Sequence, residues 1–354
     1  MPPTHAQTLK AFHLRAAAAG LVAIVLAVPA RTHAAQLQGQ ARAELGSGYD
    51  SNAGHDVDGQ GQGDGVVLGV LQLQGALYSN SSVFALAARY DLGAKKFFSL
   101  SEQDLLAQQA TLQASARAGP LTLGLLAAGK DRRSRLGDRD YTDGSGVLFG
   151  EARPHKWPLR FDLGAELFAY HPDPTYSFAG PTADFSVTAP LAAHHRLRLA
   201  VDGAFHVYDP RSLVLGELRR DGTAGGTLTY RYQGRFVGEL AYDFLADLSN
   251  LRGASFQRHR LLGNVAVFLP WRIVLAGSAA LQFTRFPEGA TQINPESLEA
   301  DEAENTNSLA VSLSRALPLG FRVELKGAGY QSSYATNGLS YHRATLQLSV
   351  GWKG

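Results

Sequence analysis

One pattern recurs along this chain and restricts its fold more than any other: apolar and polar residues alternate singly, and the charges fall on the polar side. In the last such stretch, Ala344, Leu346, Leu348, Val350 and Trp352 share one face, while Arg343, Thr345, Gln347 and Ser349 share the other. Side chains alternate across a strand with a period of two, so each stretch reads as a strand with one apolar and one polar face. The same holds where Leu159, Phe161, Leu163, Ala165 and Leu167 oppose Arg160, Asp162 and Glu166. Leu197, Leu199, Val201, Phe205 and Val207 oppose Arg198, Asp202 and His206. Phe236, Leu240, Tyr242 and Phe244 oppose Glu239 and Asp243, and Phe321, Val323 and Leu325 oppose Arg322, Glu324 and Lys326. A soluble core could use one such strand, but nothing in the chain could cover the apolar faces of all of them. A charge at alternate positions is cheap on a wet face and costly in hydrocarbon. The pattern therefore predicts an all-β chain closed into a transmembrane antiparallel barrel of about sixteen strands, apolar face to lipid and polar face to the lumen. Stacked soluble sandwiches would need linkers and Greek-key irregularity, which the pattern lacks.

Two kinds of connection alternate. Short ones fall at Asn80-Ser81, Gly119-Pro120, Pro154 to Pro158, Pro190 to Arg196, Tyr232 to Gly234, Pro270-Trp271 and Leu317 to Gly320. Longer, more polar ones run Ser51 to Gly65, Gly93 to Asp104, Lys130 to Asp140, His171 to Thr175, Pro210 to Leu218, Asp247 to Phe256, Pro287 to Thr306 and Ser333 to Ser340. Transmembrane barrels have short periplasmic turns and longer extracellular loops, which places both ends of the barrel on the periplasmic side.

Thirty-three Lys and Arg against 31 Asp and Glu exclude a strongly basic nucleic-acid binder. The absence of cysteine removes disulfides, thiolate metal sites, cysteine nucleophiles and a lipid-modified cysteine. Lys10, His13 and Arg15 precede the apolar run from Ala16 to Val28, and small residues follow at Ala34 and Ala35. That reads as a secretory signal peptide over residues 1–34, with the barrel in residues 35–354.

Lumen-facing charges are expected at Arg42, Glu44, Arg89, Arg117, Arg160, Asp162, Glu166, Arg198, Asp202, Arg231, Glu239, Asp243, Arg258, Arg260, Arg315, Arg322, Glu324, Lys326 and Arg343, with His206 among them. Rings of charge set solute preference in such pores. Phe168, Tyr170 and Tyr330 share that face, where sugar rings could stack. Aromatic girdles are expected at the two interfaces. Trp157, Trp271 and Trp352 stand at the short-turn end; Tyr49, Phe97, Phe98, Tyr141, Tyr170, Tyr208 and Tyr341 stand at the other. Asp56, Asp58 and Asp64 lack the full spacing of a calcium loop, so no metal site and no cofactor is expected. The charged stretch Lys130 to Asp140 would contact lipopolysaccharide phosphates, fold inward as a constriction, or simply be solvated. No catalytic residue is expected, since most histidines fall in turns and loops and no serine nucleophile is positioned by a base.

Alternation, signal peptide and terminal Trp352 together resemble bacterial outer-membrane β-barrels over the whole of residues 35–354. Gly48-Tyr49-Asp50-Ser51-Asn52 resembles the first-strand ending of barrels that usually follow helical-repeat periplasmic domains. Those include surface lipoprotein assembly modifiers and the poly-N-acetylglucosamine porin. The resemblance implies export of a polysaccharide or surface protein, with a general diffusion porin and a structural or adhesive barrel as the other readings. It also implies the outer membrane and its lipopolysaccharide, the barrel assembly machinery and a periplasmic export partner as partners. Kept in detergent without boiling, the protein should migrate anomalously on a gel and give a β-dominated circular dichroism spectrum. A monomer soluble without detergent would contradict the barrel.

Overall fold

The computed structural model of the chain describes residues 35–53, 61–79, 83–137, 139–154, 156–209, 213–214, 217–287, 307–333 and 340–354. The expected signal peptide lies outside them, as do Asp56, Asp58 and nearly all of the acidic loop after Pro287. Sixteen strands close into one antiparallel barrel. They are β1 (Ala35–Asp50), β2 (Asp64–Ser79), β3 (Phe84–Phe97), β4 (Leu105–Ala118), β5 (Leu121–Ser134), β6 (Tyr141–Ala152), β7 (Leu159–Tyr170), β8 (Phe178–Ala192) and β9 (His195–Tyr208), then β12 (Arg220–Gln233), β13 (Phe236–Ser249), β14 (Phe256–Leu269), β15 (Ile273–Arg285), β16 (Asn307–Ala316), β17 (Phe321–Ser333) and β18 (Ser340–Lys353). Two further strands, β10 (Leu213–Val214) and β11 (Glu217–Leu218), form a separate small ladder in the loop after β9. Every barrel strand pairs with its neighbour along the barrel, and β1 pairs with β18. Among the described residues no helix is long and apolar enough to cross a membrane, a test that does not bear on crossing by strands.

Burial runs opposite to that of a soluble domain. Leu37, Leu45, Leu148, Leu163, Leu199, Phe283 and Leu346 are exposed, whereas Asp50, His206, Arg219, Asp221, Asp247 and Arg343 are buried. Exposed aliphatic side chains all round a closed wall, with charges inside it, are stable only where the outside is hydrocarbon. The chain is an outer-membrane barrel. The strands run from 10 to 16 residues, and about 9–11 suffice to cross the bilayer, so much of the wall rises past the hydrocarbon.

Several strands extend further into the connections than the alternation predicts. Gly93 to Phe97 belong to β3, and Lys130 to Arg133 belong to β5. Pro190 lies inside β8, where a register shift against β9 between Pro190 and Ala192 absorbs its missing N–H. The tight turn after β14 has consecutive left-handed residues at Trp271 (φ 59°) and Arg272 (φ 60°), the backbone of a hairpin turn whose twist matches its strands.

Closure is fastened at the loop end by the segment from Gly48 to Asn52. A Cβ at Gly48 would collide with the Leu346 carbonyl oxygen, so glycine lets β1 lie close to β18. Tyr49 points outward; Asp50 points inward and accepts both Nε and a second guanidinium nitrogen of Arg343, the Nε contacts being 2.9 Å. Ser51 exchanges two hydrogen bonds with Ala344, donating its N–H to the carbonyl at 2.9 Å and accepting from the Ala344 N–H through Oγ at 2.8 Å. Asn52 Nδ2 donates to the His342 carbonyl at 3.1 Å. Removing one member of a buried ion pair leaves a naked charge and costs roughly 3–5 kcal/mol. Asp50→Ala should therefore lower the temperature at which the folded gel form is lost, and a joint Asp50→Ala, Arg343→Met variant should recover part of that loss.

Candidate functional site: the lumen

The strand register decides which residues face inward. Arg42, Glu44, Arg89, Arg117, Arg160, Asp162, Glu166, Arg198, Asp202, His206, Arg231, Glu239, Asp243, Arg258, Arg260, Arg322, Glu324, Lys326 and Arg343 all fall on the face of the buried Asp50 and Asp221. Arg315 does not. It pairs with Ile273 and Val323 and so lies on the outer face at the short-turn end.

Many of the charges are partnered within their own strand. Arg42 meets Glu44 at 2.7 Å, Arg89 meets Asp91 at 2.7 Å, Arg160 meets Asp162 at 2.9 Å, and Arg322 meets Glu324. Arg219, at the edge of β12, meets Asp221 at 2.6 Å. Residues two apart share a face, so the recurring Arg-x-Asp or Arg-x-Glu spacing was a readable signal for these pairs. Exposed pairs of this kind contribute little stability. Their larger effect is to cancel charge along the wall.

One stretch of wall is different. Asp162, Asp184 and Asp202 stand directly opposite one another on β7, β8 and β9. Arg160 serves Asp162 and also reaches Glu151 at 3.0 Å, but among the described residues neither Asp184 nor Asp202 has an ion-pair partner. The Asp202 carboxylate leans over Gly225 of β12, where a Cβ would strike it.

At the loop end the same side of the lumen is filled. Tyr141, Phe168, Phe178 and Tyr208 pack in succession with ring centroids 5.3–5.4 Å apart. His206 stacks on Phe178 at 4.3 Å and meets Glu166 across β8. Gly180 lies between them, and a Cβ there would collide with the Phe205 carbonyl oxygen. The Arg219 guanidinium lies over the Tyr208 ring at 3.9 Å. Tyr141 and Tyr208 are 2% and 3% exposed and face inward, so neither belongs to an outer girdle; Tyr170 also falls on the inner face. Position along a strand had suggested a girdle, but parity along the strand decides the face. Phe97 is likewise internal, in a small cluster with Ala53, Val66 and Leu100, while Phe98 is exposed. Asp64 holds the start of the next loop to that cluster by accepting the Ser99 and Leu100 N–H groups at 2.7 and 2.8 Å. Tyr49, Trp157, Trp271 and Trp352 have exposed rings; the side chain of Tyr341 lies outside the described residues.

The stretch from Lys130 to Asp140 does not act as one loop. Lys130 and Arg132 face inward, whereas Asp131 and Arg133 face outward and pair at 2.8 Å. Outside, Tyr90, Gln108, Asp131 and Thr142 form a hydrogen-bonded row ending at His171.

Two recesses open into the lumen. One of about 380 Å³ lies along β12 to β17, and one of about 430 Å³ lies toward the short-turn end, lined by Arg153, Arg160 and Arg198 with Glu151 and Asp162.

No protein-family model and no curated protein sequence matches this chain. Among solved structures it is similar to a bacterial polysaccharide outer membrane secretin, at 10% identity and a TM-score of 0.48, covering 89% of this chain and 98% of that one. It is also similar to Pseudomonas aeruginosa OccD3 (10% identity, TM-score 0.46, 89% and 91% covered) and to the outer membrane protein OpdK of that organism (10%, 0.45, 90% and 99%). The barrel itself rests on this chain's own strand ladder. With lipid-facing walls and a charged interior, the chain is an outer-membrane β-barrel. Replacing both Asp184 and Asp202 by Asn should reduce its cation-over-anion permeability by about twofold, since wall charge sets ion preference. Reversal potentials across a salt gradient measure this; an unchanged ratio would remove the aspartate row from the conducting path.

Proposed function

We propose that the pore is the outer-membrane conduit through which a polysaccharide leaves the cell. The observation that carries this reading is the row of Asp162, Asp184 and Asp202 in direct register, with Thr182, Ser186 and Thr188 beside it on β8. Ionised carboxylates only accept hydrogen bonds, and hydroxyls both donate and accept. A moving chain of sugar hydroxyls can exchange partners along such a wall without leaving any donor unmet. Phe168 and His206 are not stacking platforms for sugars, because both are buried against their neighbours. The grip would be polar. A periplasmic partner would deliver the polymer to the short-turn end.

The second reading is a general diffusion porin. The intrastrand ion pairs favour it, since they leave much of the lumen electrically balanced and so open to many small solutes. Both are readings of transport, not catalysis. Deleting the gene should abolish a surface polysaccharide while leaving uptake of small solutes unchanged. Normal polysaccharide with slowed solute uptake would reject export in favour of diffusion.

A further inference from the structure

The inner wall is uneven in side-chain size. On the β6 to β12 side its loop end is packed with Tyr141, Phe168, Phe178, His206, Tyr208 and Arg219. Toward the short-turn end of β14 to β16 the inward positions Asn264, Ala266, Ala276, Ser278, Ala310 and Ser312 are small. Two successive rows of paired residues show this. Arg231, Glu239, Asn264, Ser278, Ala310 and Ala328 face one another in turn from β12 to β17. In the next row Val237, Ala266, Ala276, Ser312 and Lys326 do the same. Together they frame the recess of about 380 Å³.

We infer that this recess is a saccharide-binding station on the conducting path, taking a pyranose unit. The inference rests on the export reading only for the identity of the cargo; the position of the path stands apart from it. Pockets of about 300–1,000 Å³ suit small ligands, and this one is at the lower end, the size of one or two sugar rings. Its floor of Ala266, Ala276 and Ala310 offers C–H surface to the apolar face of a ring. Its rim offers polar groups of every kind: the Glu239 carboxylate accepts, the Lys326 ammonium and Arg231 guanidinium donate, and Asn264, Ser278 and Ser312 do both. Among the described residues neither Glu239 nor Lys326 has an ion-pair or hydrogen-bond partner, so each is available to a solute hydroxyl. Donors and acceptors on opposite edges of an apolar floor match the equatorial hydroxyls and C–H faces of a pyranose. They do not match an aliphatic solute.

Single-channel recording on the purified barrel tests this with maltoheptaose and, as a size control, a polyethylene glycol of equal hydrodynamic radius. Maltoheptaose should interrupt the current for longer than the glycol, which lacks ring hydroxyls. Ala310→Trp fills the recess and should lower the open conductance by about twofold, because pore width limits conduction. Ala128→Trp, across the lumen on β5, should leave the conductance nearly unchanged. Glu239→Gln, which keeps size and shape, should shorten the sugar interruptions by about tenfold, as expected when a hydrogen bond to a charged group is weakened. Each variant is first checked for the folded gel form, and Glu239→Gln keeps the inference testable if Ala310→Trp does not fold. Equal interruption by sugar and glycol would overturn the saccharide site, as would an unaltered interruption time in Glu239→Gln. Equal loss of conductance in Ala310→Trp and Ala128→Trp would overturn the location of the path. A deletion strain that keeps its polysaccharide, while sugar still interrupts the current, would overturn export and leave the site standing.

Discussion

In hydrocarbon no backbone N–H or C=O has water to fall back on, and each unpaired group costs several kcal/mol. A sheet meets that condition only by having no edges, so the structure depends on β1 finding β18. These are the first and last barrel strands in the chain, and the longest closure in sequence must therefore be made correctly. Nine residue pairs join them, from Asp50 with Thr345 to Arg42 with Lys353. At the loop end the union is reinforced by side chains: the Asp50–Arg343 pair, the two Ser51–Ala344 bonds and the Asn52 bond to His342. Gly48 allows the approach, and the inward turn of Asp50 supplies the charge that Arg343 needs once it is buried. Gly48, Asp50, Ser51 and Asn52 thus each have a structural reason to be there.

With closure secured, the interior can vary. Burial is concentrated at the loop end, where the rings of β6 to β9 and Arg219 thicken one side of the wall, and the Asp64-anchored loop and the Asp50–Arg343 pair thicken another. Nearer the short-turn end, β15 and β16 are thinned by alanine and serine. The two recesses lie nearer the short-turn end than this filling, one along β12 to β17 and one along β6 to β9. The charges follow the same division of labour. Those with an intrastrand partner neutralise the wall locally, and the aspartates of β8 and β9 leave a stretch of it negative.

Much of this architecture was legible in the residue order. Period-two alternation is set by backbone geometry, so the strand number and, Arg315 apart, the inward parity of the charges from Arg42 to Arg343 follow from it. What was not legible has two physical sources. The first is that distance along a strand and choice of face are independent: Tyr141 and Tyr208 stand at the right height for a girdle but on the wrong parity, as does Phe97. Arg315 fails for the related reason that one charge can sit on an outer face near the headgroups, where it costs little. The second source is contact between strands remote in sequence. Glu166 meets His206 across β8 only because Gly180 leaves room, and no local pattern announces that. The intrastrand pairs were within reach, since Arg-x-Asp and Arg-x-Glu recur at strand spacing.

Those pairs have a consequence for how such a barrel can change over time. An arginine whose counterion lies two residues away in the same strand takes its partner wherever the strand goes. A hairpin carrying such strands is electrically self-sufficient, so it could be duplicated, lost or shifted by two residues without stranding a charge. Asp50 and Arg343 have no such freedom. They belong to opposite ends of the chain, and any rearrangement that keeps one without the other leaves a buried charge exactly where the wall must meet itself. Growth by hairpins is therefore cheap in the middle of this barrel and dear at its two ends.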